Sequence, residues 1–343
     1  MKTLAAKHFN LKATIESGQL FRWHYDSKSG FYYVVAGSDI IKLRQKGSII
    51  EHDSLSQEFN VKKFFGLNQN YPVILRSISR DEKIAAAIKS HHGLRILEQD
   101  FWECAASFIC SSFSNIPRIR QCIGRLAAAF GEKIEFDGFS TSSFPQPHQI
   151  GSFSKLEQCG LGYRAKYLFE TAAMFANSPE EYSPQSLRKL SYADAKEKVM
   201  ELPGVGNKVA DCILLFSCGF FEAFPVDVWI HRAVLGSYGS DIDAFMAAAK
   251  TKAKAPSESV VADFARDYFG KYAGYAQQFI YHNAKQHNSA MRNVQSAAAD
   301  LHRHQPMRRD NKELSLTQKK PIVYSKGHQF SKLNSALCYY LTN

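Results

Sequence analysis

The chain has 343 residues, enough for one large domain or two or three smaller ones, and 45% of them are apolar. That share supports a packed core and excludes a disordered chain. A formal net charge of +11 points to an acidic partner, with nucleic acid ahead of an anionic membrane surface. The opening "MKTLAAKHFNLKATIESGQL" lacks the unbroken apolar core of a secretion signal, and no later stretch could span a bilayer. The seven cysteines show no paired spacing. They predict an intracellular protein with reduced, mostly buried thiols and no zinc or iron–sulfur cofactor.

The first sixty residues alternate in the manner of strands. "FYYVVAGSDIIKLRQKGSII" holds two β-branched and aromatic runs separated by Gly37-Ser38-Asp39, which predicts a hairpin in an antiparallel sheet. From about Val73 the period turns helical. Ile119, Cys122, Ile123, Leu126, Ala127 and Phe130 share one helix face, and Gly131 stops it. Val209, Cys212, Ile213 and Phe216 repeat the spacing, and "YAGYAQQFIYHNAK" (272–285) predicts another helix. The expected organisation is α+β: an N-terminal antiparallel sheet domain over 1–72 packed on a mostly helical body over 73–285. Residues 286–343 carry nine Lys/Arg against three Asp/Glu and are expected to be a basic, solvated tail rather than a folded module.

"LPGVGNKVADCILLF" (202–216) poses a physical question. A Leu-Pro-Gly-Val-Gly turn exposes unpaired backbone N–H groups at a helix start, where the dipole favours an anion such as phosphate. Lys208 is a cation placed where that dipole disfavours one. Partial desolvation there would favour the neutral amine, the form that acts as a nucleophile. The plainer alternative is a helix-surface ion pair with Asp211.

Nineteen residues on, Asp227 sits among apolar neighbours in "FPVDVWIHR". It could simply cap the next helix. Facing one pocket with Lys208, it would instead accept the amine's proton and stabilise positive charge on a reacting sugar. At about 4 Å and an effective dielectric near 20, that attraction is roughly 4 kcal/mol.

These residues resemble the helix–hairpin–helix DNA glycosylases with a Gly/Pro-rich loop and a following aspartate. Among them the chain is most similar to the 8-oxoguanine DNA glycosylase/AP lyase family. "SGQLFRW" (17–23), "FWECAASFICSS" (101–112), "GLGYRAKY" (160–167), "LPGVGNKVADC" (202–212), "PVDV" (225–228) and "YAGYAQ" (272–277) stand in the family's order. The resemblance places a helix–hairpin–helix at about 196–218. It implies a bifunctional enzyme that excises oxidised guanine from double-stranded DNA and then eliminates the 3′ phosphate, acting as a monomer without membrane association.

By the same resemblance, Lys208 attacks the sugar C1′ and Asp227 assists. Gly18 offers its carbonyl to the flipped base, Gln277 reads its edge, and Cys212 and Tyr281 sandwich it; core packing is the plain alternative for that pair. Phe113, Asn115, Arg118, Tyr163, Arg164, Gly204, Val205, Gly206 and Asn207 would touch DNA. The backbone carbonyls of Met200, Leu202 and Val205 could hold a monovalent cation. For "SGQLFRW" the plain alternative is a buried Trp23 with Arg22 in a structural ion pair.

Two departures stand out. Phe113 occupies the place of an asparagine that fills the gap left by the flipped base, so it would wedge apolarly into the stack and leave the orphaned cytosine to Arg118 and Arg164. Trp229 stands where animal relatives place a phosphate-contacting histidine, which favours a prokaryotic branch and hence the cytoplasm or nucleoid over the nucleus. The rival readings are a monofunctional alkylpurine glycosylase, which by resemblance lacks the hairpin lysine, and a non-catalytic hairpin DNA-binding protein, which needs neither Asp227 nor "SGQ".

Overall fold

The computed structural model describes residues 1–250 and 255–286; the expected tail lies, beyond Gln286, outside the described residues. Strands β1 (Lys2–Ala5), β2 (Trp23–Asp26), β3 (Phe31–Ala36), β4 (Asp39–Lys46) and β5 (Ile49–Ser54) form an antiparallel sheet in the order β1-β5-β4-β3-β2. Ala36 pairs with Asp39, so the first tight turn is Gly37-Ser38 alone, with Gly37 at φ +60°. Asp39 already belongs to the strand.

The apolar run of β3 is explained by burial on both faces. Tyr32 and Val34 join Ile41, Leu43 and Ile50 against Phe9, Leu11, Ile15, Phe64 and Phe65. Phe31 and Tyr33 pack with Ile40 against Ile134, Phe136 and Phe139. Those last three belong to a second hairpin, β6 (Lys133–Phe136) and β7 (Phe139–Ser142). This hairpin is an element that the reading of a mostly helical body over 73–285 did not include. Its four-residue strands are too short to register as a period, and they are stable because the sheet supplies their apolar partner. A short helix, Leu11–Ile15, is also embedded in the region read as strands, and another, Val61–Phe64, follows it within the expected sheet domain.

The helical body is built around Phe101–Ser111, in which every residue is buried. Asp100 caps its start by accepting the Glu103 amide. Glu103 pairs with Arg22 at 3.4 Å and accepts the Gly37 amide at 2.6 Å. One buried carboxylate therefore ties the sheet's turn to the central helix and forms the structural ion pair that was the plain alternative for Arg22. Trp23 is partly buried rather than buried, with the Arg120 guanidinium 4.1 Å over its ring. The amphipathic helix read at 119–130 runs Ile116–Phe130 and buries Ile119, Cys122, Ile123, Leu126 and Ala127. Residues 273–286 are helical, as expected for 272–285. The six cysteines among the described residues are free and buried.

Candidate active site

Helix Tyr192–Met200, a turn over 201–206 and helix Asn207–Ile213 form the hairpin, and the second helix continues as a π-helix over Leu214–Cys218. Gly204 adopts φ +81°, and a Cβ there would lie 2.8 Å from the Tyr167 ring, so glycine is required. The Leu202 carbonyl accepts the Val205 amide at 3.1 Å. Val205 is buried, while Gly206 and Asn207 are exposed. Gly206 caps the second helix without any side-chain acceptor, which leaves the first amides open to solvent or a ligand. Asp211 fastens the two helices: it is buried and takes Lys196 at 3.1 Å and the Tyr192 hydroxyl at 2.6 Å. Burial pushes its carboxyl up, opposed mainly by the Lys196 ammonium.

Asp211 is thus committed inward, and the Lys208–Asp211 surface pair does not form. Lys208 is half-buried. Its Nζ lies 3.4 Å from Ser111 Oγ and 5.1 Å from the centroid of the Phe108 ring. Its charge also acts on the nearby Cys212 thiol, which burial pushes up to about 12. The thiol therefore stays protonated and uncharged near neutrality. Asp227 is the N-cap of helix Val228–Ala248, with Oδ1 accepting the Ile230 amide at 2.8 Å. Its charge reaches both Cys212 and Tyr281. Burial, then Asp227, pushes the Tyr281 phenol up to about 12. Lysine, carboxylate, thiol and phenol converge on one neighbourhood.

The base-pocket candidates meet there too. Gly18 adopts φ +90°, and a Cβ on it would sit 3.7 Å from the Tyr281 hydroxyl. Its loop is fixed by Gln19, fully buried, which donates to the Arg95 carbonyl at 2.9 Å and accepts the Leu97 amide at 3.0 Å. Sequence reasoning assigned Gln19 no part; its long-range partners carry no sequence signal. Gln277 donates to the Pro225 carbonyl at 3.0 Å and accepts from Gln278 at 2.7 Å. An incoming base would have to compete for that amide. The carbonyl it holds lies two residues before Asp227.

Phe113 is 100% exposed and has φ +48°, an unfavourable backbone for a large side chain on a surface. Asn115 caps helix Ile116–Phe130 through the Arg118 amide at 3.0 Å, and Arg118 is exposed. Tyr163 is exposed. Arg164 is buried, and its Nη1 donates to the Ser112 carbonyl at 2.6 Å. The guanidinium expected at a cytosine therefore holds the loop that carries Phe113. Trp229 is 44% exposed in the first turn after Asp227.

The family model for the 8-oxoguanine DNA glycosylase N-terminal domain matches residues 3–105. The N-glycosylase/DNA lyase of Saccharomyces cerevisiae is 32% identical over 66% of this chain and 68% of its own. The N-glycosylase/DNA lyase OGG1 of Arabidopsis thaliana is 30% identical over 81% and 78%. The chain belongs to the 8-oxoguanine DNA glycosylase/lyase family. A solved structure of the Clostridium acetobutylicum 8-oxoguanine glycosylase/lyase, bound to double-stranded DNA with cytosine opposite 8-oxoguanine, superposes with a TM-score of 0.73. It is 29% identical, with coverage of 84% of this chain and 99% of that one. Among the described residues, no helix of this family member is long and apolar enough to cross a membrane.

Proposed function

We propose that the chain excises 8-oxoguanine from duplex DNA through Lys208 and then cleaves the strand at the vacated sugar. The neutral amine of Lys208 forms a bond to C1′ as the glycosidic bond breaks, and the base leaves with a proton. Ring opening gives a Schiff base, and loss of a C2′ proton then expels the 3′ phosphate. Asp227 stabilises the positive charge that builds on the sugar. The open amides after Gly206 take a DNA phosphate, and Phe113 fills the space the nucleotide leaves. A monovalent cation on the carbonyls of Met200, Leu202 and Val205 belongs to the same proposal; the Leu202 carbonyl, engaged by Val205, keeps one lone pair for it.

The observation that carries this reading is the half-buried amine against Ser111 and Cys212, in the neighbourhood of Asp227. A surface ion pair would have left it in solvent. Action on DNA places the protein inside the cell, and the tryptophan at 229 supports a nucleoid over a nucleus. The test is reduction with borohydride in the presence of an 8-oxoguanine duplex. Wild type should give a covalent adduct and Lys208→Gln none; an adduct that survives the substitution sinks the mechanism.

A further inference from the structure

Helix Phe101–Ser111 ends against the nucleophile, and its last residue has no part in the mechanism above. Ser111 is buried, and its hydroxyl donates to the Phe108 carbonyl at 2.7 Å. While its proton is donated there, Oγ is left to accept, and the atom that reaches it is Lys208 Nζ at 3.4 Å. The separation is long for a hydrogen bond, as catalytic contacts often are before substrate binds. The Phe108 ring and the Cys212 thiol are the amine's other neighbours.

A neutral amine has two N–H groups and one lone pair. With one N–H held by an acceptor whose own proton is engaged by the Phe108 carbonyl, and with ring and thiol nearby, the lone pair is directed to the remaining open side. We propose that Ser111 is a positioning residue that aims the Lys208 lone pair at the sugar. This rests on the reading of Lys208 as the nucleophile. The chain also links it to DNA engagement: Ser112, the next residue, is clamped by Arg164, and Phe113, the one after, is the exposed wedge. Three consecutive residues thus touch the nucleophile, touch the clamp and offer the proposed wedge.

The experiment measures single-turnover base release and borohydride trapping on an 8-oxoguanine duplex across pH 6 to 9, beside duplex affinity. The proteins are wild type, Ser111→Ala, Ser111→Thr and Ser111→Val. Wild-type trapping tests the nucleophile itself; the variants test Ser111. Ser111→Ala should release base between about tenfold and a hundredfold more slowly, with duplex affinity unchanged. The deficit should persist as pH rises, because aim and not protonation is lost. Threonine and valine have nearly the same shape but only threonine has the acceptor, so threonine should recover most of the rate and valine should not. This pair decides the matter even if the alanine variant fails to fold. Wild-type rates in Ser111→Ala, equal rates for threonine and valine, or a deficit that vanishes at high pH each overturn the proposal.

Discussion

Asp227 Oδ1 accepts the Ile230 amide at 2.8 Å, and the same carboxylate acts on Cys212 and Tyr281 beside Lys208. The cap reading is therefore realised, and the proposed catalytic anion would use the same carboxylate. The cap fixes where the charge stands. Asparagine caps a helix as well as aspartate but carries no charge. We expect Asp227→Asn to keep its melting temperature and duplex affinity while base release slows by about two to three orders of magnitude. Asp227→Ala should show the same kinetic loss and also lose about 1 kcal/mol of stability. Denaturant titration beside single-turnover kinetics separates the two effects, and a fast Asp227→Asn would leave the residue as a cap alone.

Phe113 combines full exposure with a left-handed backbone, a pairing that costs stability in the free protein. Phe113→Asn tolerates that backbone better, so stability should hold or rise by up to about 1 kcal/mol. Asparagine can also hydrogen-bond an orphaned base where phenylalanine cannot. Preference for cytosine opposite the lesion should increase, and Phe113→Gly, without any wedge, should bind the lesion duplex about tenfold more weakly. Unfolding curves and base release against the four opposite bases check this; an unchanged opposite-base profile in Phe113→Asn excludes the wedge.

His282, next to Tyr281, is buried, and burial lowers its imidazole from 6.5 to about 4, with His91 and Lys285 adding to the effect. The unfolded chain takes up this proton below about 6.5 and the folded chain only near 4. The associated stability is complete above 6.5 and is lost as pH falls through that window, up to about 3 kcal/mol in all. Urea midpoints at pH 7, 5.5 and 4.5 should fall more steeply in wild type than in His282→Phe. Parallel slopes would show that another group carries the acid sensitivity.

Much of the site was legible from residue types. A glycine turn, a lysine at a helix start and an aspartate among apolar neighbours are local chemistry, and the structure shows the turn and the cap at those positions. The stripe at 119–130 was legible because one buried face imposes one period, and β3 and β4 because two β-branched and aromatic runs flank a glycine turn. The hairpin β6–β7 was not, because its strands are stabilised by a sheet about a hundred residues away along the chain. The resemblance offered Arg164 as a DNA contact, and its bond to the Ser112 carbonyl, 52 positions away along the chain, carried no sequence signal.

What the sequence determined by itself is the set of reactive groups and the short elements that present them, since capping, turn chemistry and periodicity act over a few residues. Only the tertiary structure decided which groups share a pocket. Lys208 faces Ser111, 97 positions away, because both helices bury their apolar faces in one core, and packing of that kind depends on shape complementarity that no local pattern encodes.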